Sequence, residues 1–296
     1  MSAGRRAVDG WRFAWRSGPV WERAGGTRLL AVVNVTPDSF SDGGCHLAPD
    51  AAAEHALRLV EAGADGLDVG AESTRPGHAP VAAEEEWRRL GPALERIRRA
   101  VSVPVSVDTR HAEVARRALD AGAQGVNDVS GLADPAMAAV VAGADAPIVV
   151  GHWRPGRAGT WSSAEVAADL AARRAALLAA GLRPEQVAVD PGLGLGKRAD
   201  DNWRLVAAVG MLTAAGGAVM LGASRKRFLA AAAGVDAGDR GAMDELTALV
   251  TLWAALAGVA IVRVHAPAPS RRALGLAAAL QAAAEQGWTA LPGLDA

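Results

Sequence analysis

The chain alternates between short apolar runs rich in β-branched residues and longer stretches in which apolar residues recur with the helical period. The short runs predict strands at residues 29–34, 66–69, 103–107, 125–127, 147–150, 187–190, 218–221 and 260–264. The longer stretches predict helices at residues 50–62, 83–100, 111–121, 135–142, 163–180, 202–214, 242–256 and 270–285. Gly63, Gly122 and Gly181 follow three of these helices, where glycine commonly ends a helix.

The regular alternation of strand and helix predicts an α/β fold, a single (β/α)8 TIM barrel. A doubly wound open sheet is the alternative, but it seldom reaches eight strands with so even an alternation. Aromatic residues alternate with polar ones before the first strand, at Trp11, Phe13, Trp15 and Trp21. They indicate a short hairpin that caps the bottom of the barrel. We therefore expect an N-terminal extension with this hairpin at residues 1–28 and one barrel domain at residues 29–290.

Composition narrows the class of protein. The chain is 51% hydrophobic and 21% charged, which is ordinary for a globular domain with a sizeable core. Its net charge of -1 provides no overall field for nucleic acid or an anionic membrane, so neither is an expected partner. The single cysteine, Cys45, excludes an internal disulfide, and no apolar segment follows Arg5 and Arg6, so we expect a cytoplasmic protein without a signal peptide. The alanine-rich runs at 230–233 and 277–284 are too short to span a membrane and indicate helices.

Polar residues follow every predicted strand. In a barrel these strand ends share one face, where enzymes of this architecture place their sites. Asp108, Asn127 and Asp190 end three different strands. A single Asp or Asn at such a position is often only the N-cap of the next helix. Three together, beside several cations, favour a binding site instead.

The side chains at the strand ends are of two kinds. Ionised Asp only accepts hydrogen bonds and Asn can also donate, so this set suits the donor edge of an amino-bearing heterocycle. The cations Arg75, Arg225, Lys226, Arg263 and His265 suit an anion. Arg263 and His265 are two residues apart on one strand and would face the same way. The two sets together predict a substrate with a purine- or pterin-like ring joined to a phosphate leaving group.

Two further features bear on the ligand. The glycine-rich run at 192–196 lacks the spacing of a dinucleotide fingerprint or a P-loop, and we interpret it as a loop that lets backbone approach a flat ligand. The chain has no metal-binding cluster of Cys and His. A hard cation such as Mg²⁺ stays open, because it prefers oxygen ligands and substrate phosphates.

Seven segments of the chain, taken in order, closely resemble those of dihydropteroate synthase. The resemblance runs from Leu30 to about Leu280 and is carried by residues 34–44, 68–77 (DVGAESTRPG), 107–109, 127–131 (NDVSG), 190–197, 222–228 (GASRKRF) and 262–265. It implies a (β/α)8 barrel that condenses 6-hydroxymethyl-7,8-dihydropterin pyrophosphate with p-aminobenzoate, giving 7,8-dihydropteroate and pyrophosphate in folate synthesis. It also implies a homodimer and a Mg²⁺ cofactor.

The resemblance also implies roles for individual residues. The pterin would be held by Asp108, Asn127, Asp190 and Lys226. The pyrophosphate would be held by Asn34, Thr74, Arg263 and His265, with Asn34 at the Mg²⁺. The p-aminobenzoate pocket would include Phe40, Thr74, Pro76, Leu195 and Ser224. The catalytic set would be Asp42, Arg75, Lys226, Arg263 and His265, with Asp42 stabilising the developing cation.

The chain departs from the usual family pattern at three places. Ala266 stands where an Asp usually follows the histidine of the eighth strand, which would leave His265 less firmly oriented. Gly151, His152 and Trp153 replace the usual Met-His-Met after the fifth strand. Leu195 replaces a Phe that would pack at the p-aminobenzoate pocket. Our hypothesis is that Leu195 and Trp153 change acceptor choice or sulfonamide sensitivity.

Three other functions compete with this interpretation. A pterin-binding paralogue without catalysis has only Ala266 in its favour. A methyltetrahydrofolate-binding methyltransferase barrel would share the Asp and Asn set but would lack the Ser-Arg-Lys motif at 224–226 and the Thr-Pro-Asp-Ser-Phe segment at 36–40. A phosphosugar barrel enzyme would not explain three amide or carboxylate strand ends.

Overall fold

The computed structural model describes residues 10–35, 49–72, 81–154 and 160–285. The strands in these residues are β1 (Arg12–Ala14), β2 (Val20–Glu22), β3 (Arg28–Asn34), β4 (Gly66–Gly70), β5 (Val105–Asp108), β6 (Gly125–Asp128), β7 (Ile148–Gly151), β8 (Val187–Asp190), β9 (Ala218–Leu221) and β10 (Ile261–Val264). The α-helices are α1 (Pro49–Glu61), α2 (Ala83–Ala100), α3 (Ala112–Asp120), α4 (Met137–Gly143), α5 (Ser163–Ala179), α6 (Ala199–Ala207), α7 (Val209–Ala214), α8 (Arg227–Ala233), α9 (Arg240–Leu256) and α10 (Pro267–Glu285).

The strands β3 to β10 form a closed parallel barrel. They follow one another in sequence order, and β10 pairs with both β9 and β3 to close it. Helices lie between successive strands, so both faces of the sheet are covered and the strands are almost wholly buried. The predicted TIM barrel is confirmed. No helix in the described residues is long and apolar enough to cross a membrane.

A two-stranded antiparallel hairpin, β1 with β2, closes the bottom of the barrel, as the sequence predicts. Its aromatic side chains are buried with Leu30, Val149 and Ile261 from the lower end of the barrel. Trp15 and Trp21 meet edge to face, with ring centroids 4.9 Å apart. A Cβ on Gly125 would lie 3.0 Å from the Trp15 ring, so glycine at the start of β6 makes room for this indole.

The helix predicted at 202–214 is two helices, because α6 ends at Ala207 and the chain turns at Ala208 before α7. The buried side chains of Leu205, Val206, Val209 and Leu212 keep a helical spacing across the turn, which explains the prediction of one helix. At the break, the carbonyl of Val206 accepts a hydrogen bond from Trp253 Nε1 over 2.9 Å.

The alanine-rich run at 230–233 lies in α8, a short helix inserted between β9 and α9. It ends at Gly234, which has a left-handed φ of 68° and satisfies the end of the helix at little conformational cost. The seventh barrel strand is therefore followed by two helices, and α8 begins directly after Lys226, the N-cap residue.

Candidate active site

The carboxyl ends of the barrel strands bring Asp108, Asn127 and Asp190 to one face. Asp108 of β5 pairs in register with Asn127 of β6, and Asp190 ends β8 next to Gly151 of β7. Asn127 is fully buried, and Asp190 is 8% exposed. Asp128, the next residue along β6, plays a different part, because its carboxylate accepts hydrogen bonds from Ser130 and Leu132 and holds the following turn.

Asp68, in the middle of β4, is the centre of a buried polar network that the sequence analysis did not assign to the site. Its Oδ2 accepts hydrogen bonds from Asn127 Nδ2 at 2.8 Å and Arg263 Nε at 2.6 Å. Its Oδ1 accepts one from Ser106 Oγ at 2.6 Å. The Asn127 amide nitrogen points at Asp68. The amide oxygen of Asn127, Oδ1, is therefore left buried without a partner among the described residues. An unpaired buried acceptor is costly, so Asn127 Oδ1 is a position for a ligand N–H.

The Arg263 guanidinium lies between two carboxylates. Its Nε contacts Asp68, and its Nη2 lies 2.6 Å from Asp108 Oδ2. Burial by itself lowers the pKa of Arg263, but the charges of Asp68 and Asp108 raise it by more, so this cation keeps its proton. Burial raises the pKa of Asp108 to about 7, against the opposing effect of Arg263 and with further help from the charge of Asp68. Arg263 is therefore held as a cation between two carboxyl groups of the site.

Asp190 and Lys226 are two further charged residues that border one space in the site. A Cβ placed on Gly222 would lie 3.6 Å from Asp190 Oδ2 and 3.9 Å from Lys226 Nζ, so glycine leaves both groups free access to this space. Burial raises the pKa of Asp190, and the charge of Lys226 counteracts it. Burial lowers the pKa of Lys226 to about 8, with Asp190 acting to raise it. Lys226 Nζ also donates to the carbonyl of Leu193 in the glycine-rich loop.

His265 lies just past β10 and is oriented by Ser224. Ser224 Oγ is 3.0 Å from His265 Nδ1 and accepts a hydrogen bond from the His265 backbone N–H at 3.1 Å. Ser224 itself is buried. The contact joins the end of β10 to the segment after β9, so two of the predicted strand-end residues are brought together.

Two predicted residues lie apart from this network. Asn34 is the last residue of β3 and is partly exposed, and its side chain has no hydrogen-bond partner among the residues that the structure describes. Leu195 is partly exposed in the glycine-rich loop after β8. The predicted residues Phe40, Asp42, Thr74, Arg75 and Pro76 lie outside the described residues.

Arg225, grouped with the anion-binding cations from the sequence, is engaged elsewhere. Its guanidinium forms a two-pronged ion pair with Asp244 of α9, with distances of 2.7 and 2.8 Å. Arg225 has a φ of 56°, a left-handed conformation that L side chains rarely adopt. The turn places neighbouring residues on opposite sides, so Lys226 faces the site and Arg225 faces α9.

Glu72, Glu86 and His111 bring three possible metal ligands within 4.8 Å of one another. Both carboxylate oxygens of Glu72 already accept hydrogen bonds from Arg110, at 2.9 and 3.0 Å. His111 Nε2 lies 3.1 Å from the carbonyl of Val81, which needs a proton on that nitrogen. Burial raises the pKa of Glu86 to about 7. Glu72 is thus already paired with a guanidinium, which a metal ion would have to displace.

The site as a whole places acceptors and cations around one space at the barrel mouth. Asn127 Oδ1 and the carboxylates of Asp108 and Asp190 can receive N–H groups of a flat ring. Lys226, Arg263 and His265 supply positive charge beside it. The Ser224 hydroxyl beside His265 is buried and holds the histidine backbone N–H, so we expect the site to act by stabilising charge rather than through a covalent intermediate.

The sequence profile of a family described as pterin binding enzyme matches residues 30–265. Dihydropteroate synthase of Mycobacterium leprae is 45% identical over 250 residues, covering 80% of this chain and 88% of that protein. The chain belongs to the dihydropteroate synthase family. The fold agrees with solved members of the family. Dihydropteroate synthase of Xanthomonas albilineans with 4-aminobenzoic acid has a TM-score of 0.86 at 40% identity, covering 92% of this chain and 99% of that one. The same enzyme in complex with 7,8-dihydropteroate has a TM-score of 0.82 at 38% identity, with the same coverage.

Two departures from the usual family pattern have a local explanation in this dihydropteroate synthase family member. A Cβ on Gly151 would lie 2.8 Å from both the Cα and the carbonyl oxygen of Val129, so the backbone here leaves no room for a methionine. His152 is fully buried, meets Trp161 edge to face at 4.5 Å, and lies 3.2 Å from Asp169. Where Ala266 cannot orient His265, the Ser224 hydroxyl provides an orienting contact.

Proposed function

We propose that this protein condenses 6-hydroxymethyl-7,8-dihydropterin pyrophosphate with p-aminobenzoate to 7,8-dihydropteroate and pyrophosphate. The observation that carries the proposal is the buried Asn127 Oδ1, which faces the barrel interior without a partner among the described residues. A ring that donates an N–H at this point would satisfy it. Asp108, Asp190 and Lys226 provide the remaining acceptors and the donor that a pterin ring requires.

The pterin site is built before the ligand arrives. Asp68 holds the Asn127 amide nitrogen, so the orientation of this side chain is fixed by a neighbouring strand. Asp190 Oδ1 accepts the backbone N–H of Gly192 at 2.6 Å, which fixes its carboxylate as well. Preorganised groups of this kind bind a ligand without the entropic cost of ordering at the moment of binding.

We assign the pyrophosphate to Asn34, Thr74, Arg263 and His265. Arg263 uses its Nε and Nη2 on the two carboxylates, and a guanidinium carries five N–H donors, so it can hold an anion at the same time. Asn34 offers an amide oxygen at the barrel mouth, which with substrate phosphates makes a donor set that suits Mg²⁺. When bound, Mg²⁺ would neutralise negative charge on the leaving pyrophosphate.

The barrier is set by charge separation, because the pyrophosphate leaves before the weakly nucleophilic arylamine attacks. Arg263 and His265 stabilise the departing anion. The carboxylates of Asp108, Asp190 and Asp42 stabilise the cation that develops on the pterin methylene. The p-aminobenzoate pocket in this assignment is formed by Phe40, Thr74, Pro76, Leu195 and Ser224, and Arg75 belongs to the catalytic set. The single cysteine is compatible with the reducing cytosol, where we expect the enzyme to act.

The proposal is tested by incubating the purified protein with dihydropterin pyrophosphate, p-aminobenzoate and Mg²⁺ while pyrophosphate release is measured. We expect release with both substrates and none with either alone. Tight pterin binding without release would instead identify a binding paralogue. Release that does not require p-aminobenzoate would contradict the assigned acceptor.

We also propose that the protein is a homodimer, joined through the outer faces of α9 and α10. Leu249 and Trp253 of α9 and Leu276 and Leu280 of α10 are 48% to 64% exposed. Large apolar side chains gathered on two adjacent helices favour burial against a second copy. Analytical ultracentrifugation should give a dimer for the wild type and a monomer for Leu249→Asp with Leu276→Asp.

A further inference from the structure

Lysine occurs at only two positions in the whole chain, 197 and 226. Every other permanently basic side chain is an arginine. Both lysines reach the same glycine-rich loop at 192–196, since Lys226 Nζ donates to the carbonyl of Leu193 and Lys197 Nζ donates to that of Gly192. Lys226 is already assigned to the pterin, which leaves Lys197 without a role.

The ammonium of Lys197 joins two separate strand ends. It donates to the carbonyl of His152 beyond β7 at 2.9 Å and to the carbonyl of Gly192 beyond β8 at 2.9 Å. It also reaches the carbonyl of Leu195 at 3.4 Å. These acceptors use all three N–H donors of an ammonium. A guanidinium presents its donors as a planar fork, which does not converge on three carbonyls in the same way.

The two segments are in close contact where Lys197 joins them. Gly192 has a φ of 68°, and a Cβ there would collide with the carbonyl oxygen of His152. The backbone of His152 also donates to the carbonyl of Asp190 at 2.9 Å. Lys197 therefore neutralises two carbonyl dipoles that the glycine brings together, and its contact with Leu195 carries the constraint to the far end of the loop.

The neighbouring charged groups have opposing effects on the pKa of the Lys197 ammonium. Burial lowers the pKa of Lys197 to about 7, while the carboxylate of Asp190 acts to raise it. Lys226 and Arg173 lower it further, and Asp201 raises it. A neutral amine has one N–H fewer and would give up one of the three carbonyls. The full set of contacts thus depends on the proton that Asp190 helps to retain.

We propose that Lys197 is a positioning residue that fastens the glycine-rich loop to the end of β7 and so sets the place of Leu195 on the acceptor side of the site. The part that concerns the acceptor rests on the proposed function. The part that concerns the loop does not, because it follows from backbone contacts alone.

The test compares Lys197→Met and Lys197→Arg with Arg227→Met. Arg227 is exposed and adjacent to Lys226, so the control removes one positive charge near the site without touching the loop carbonyls. We expect Lys197→Met to raise the KM for p-aminobenzoate roughly tenfold, the effect of losing hydrogen bonds from a charged group. The KM for dihydropterin pyrophosphate should change much less, and Lys197→Arg should fall between the wild type and Lys197→Met. A purely structural lysine would instead lower kcat through loss of folded protein and leave both KM values unchanged.

A second measurement needs no turnover. Backbone amide NMR of the ligand-free protein reports the loop through Gly192, Gly194 and Gly196, with Gly181 as a distant reference. Both Lys197 variants should move the three loop signals, and Arg227→Met should not. Wild-type loop signals and wild-type KM values in both Lys197 variants would overturn the proposal. If no variant and no wild type turned over, the proposed function would fail, and the loop signals would still decide the role of Lys197.

Discussion

The side-chain amide nitrogen of Asn127 lies 2.8 Å from Oδ2 of Asp68, and both residues are fully buried. Since an ionised carboxylate can only accept, the contact determines which end of the Asn127 amide faces the ligand. The same Asp68 oxygen holds Arg263. One carboxylate on β4 therefore orients a ring-binding residue on β6 and an anion-binding residue on β10.

Replacing Asp68 with Asn should disrupt both contacts. The amide would leave Arg263 with a weaker partner inside the barrel, and breaking a buried ion pair costs about 3 to 5 kcal/mol. We expect a loss of that order in the free energy of unfolding, measured by denaturant titration, together with weaker pterin binding by calorimetry. Ser106→Ala is the matched control. It removes only the hydroxyl on Oδ1 and should cost about 1 kcal/mol with pterin affinity retained. Equal effects of the two variants on pterin binding would argue against an orienting role for Asp68.

Replacing Lys226 with Met should reduce pterin binding and turnover together. Lys226 is placed beside Asp190 and donates into the glycine-rich loop, so its loss removes both a ligand donor and a loop contact. A hydrogen bond from a charged donor contributes about 1.5 to 3 kcal/mol, which corresponds to a loss of roughly 10- to 100-fold in affinity. Calorimetry with dihydropterin pyrophosphate and steady-state kinetics measure the two effects. Kinetics identical to those of the wild type would remove Lys226 from the site.

Replacing Leu195 with Phe restores the residue that the family usually carries. The larger ring adds apolar surface on the acceptor side, so we expect the KM for p-aminobenzoate to fall by a few-fold, in line with the energy of burying an additional methylene or two. Sulfonamide inhibition should change in the same experiment, because these inhibitors compete for the acceptor position. Equal sulfonamide inhibition of the wild type and the variant would contradict the hypothesis.

Replacing His152 with Gln should reduce the loss in the free energy of unfolding that occurs at acidic pH. Burial, with the charges of Lys197 and Arg173, lowers the pKa of His152 to about 4 from its usual 6.5. Between these values the unfolded state binds more protons than the folded state, so stability falls as the pH is lowered from 6.5 towards 4. The shift corresponds to roughly 3 kcal/mol for the wild type over this range. Between pH 6.5 and pH 4.5, the free energy of unfolding should fall less for His152→Gln than for the wild type. Parallel profiles for the two proteins would show that His152 is protonated in the folded state.

Much of the architecture was predictable because each element has its own local signal. The order of strands and helices in the barrel could be predicted from the polar residues at strand ends, the helical periodicity and the glycines after helices. The hairpin could be predicted from its alternating aromatic residues. The break at Ala208 was not predictable, because the apolar spacing continues across it. The break coincides with a tertiary contact from Trp253 to the carbonyl of Val206, which no local pattern contains.

The site was predictable at the strand ends and less so elsewhere. Asp108, Asn127 and Asp190 stand where a barrel places ligand-binding groups, so position alone indicates them. Asp68 is a single acid inside an apolar strand, and its importance lies in partners that come from β5, β6 and β10. Arg225 resembles Lys226 in sequence, but a left-handed turn directs it to Asp244. The roles of Asp68 and Arg225 depend on partners that are distant in the sequence and, for Arg225, on a left-handed backbone conformation. A local sequence pattern shows neither.

The aromatic hairpin beneath the barrel also limits the direction from which a ligand can reach the site. Trp15 and Trp21 pack under the strands, so the barrel end opposite Asp190 is filled by protein. A ligand bound against Asn127 and Asp190 would then be reached from the carboxyl ends of the strands, and a second molecule above it would block its exit. Under the proposed function, we expect the ring-bearing substrate to bind before the acceptor and the joined product to leave from the same end of the barrel.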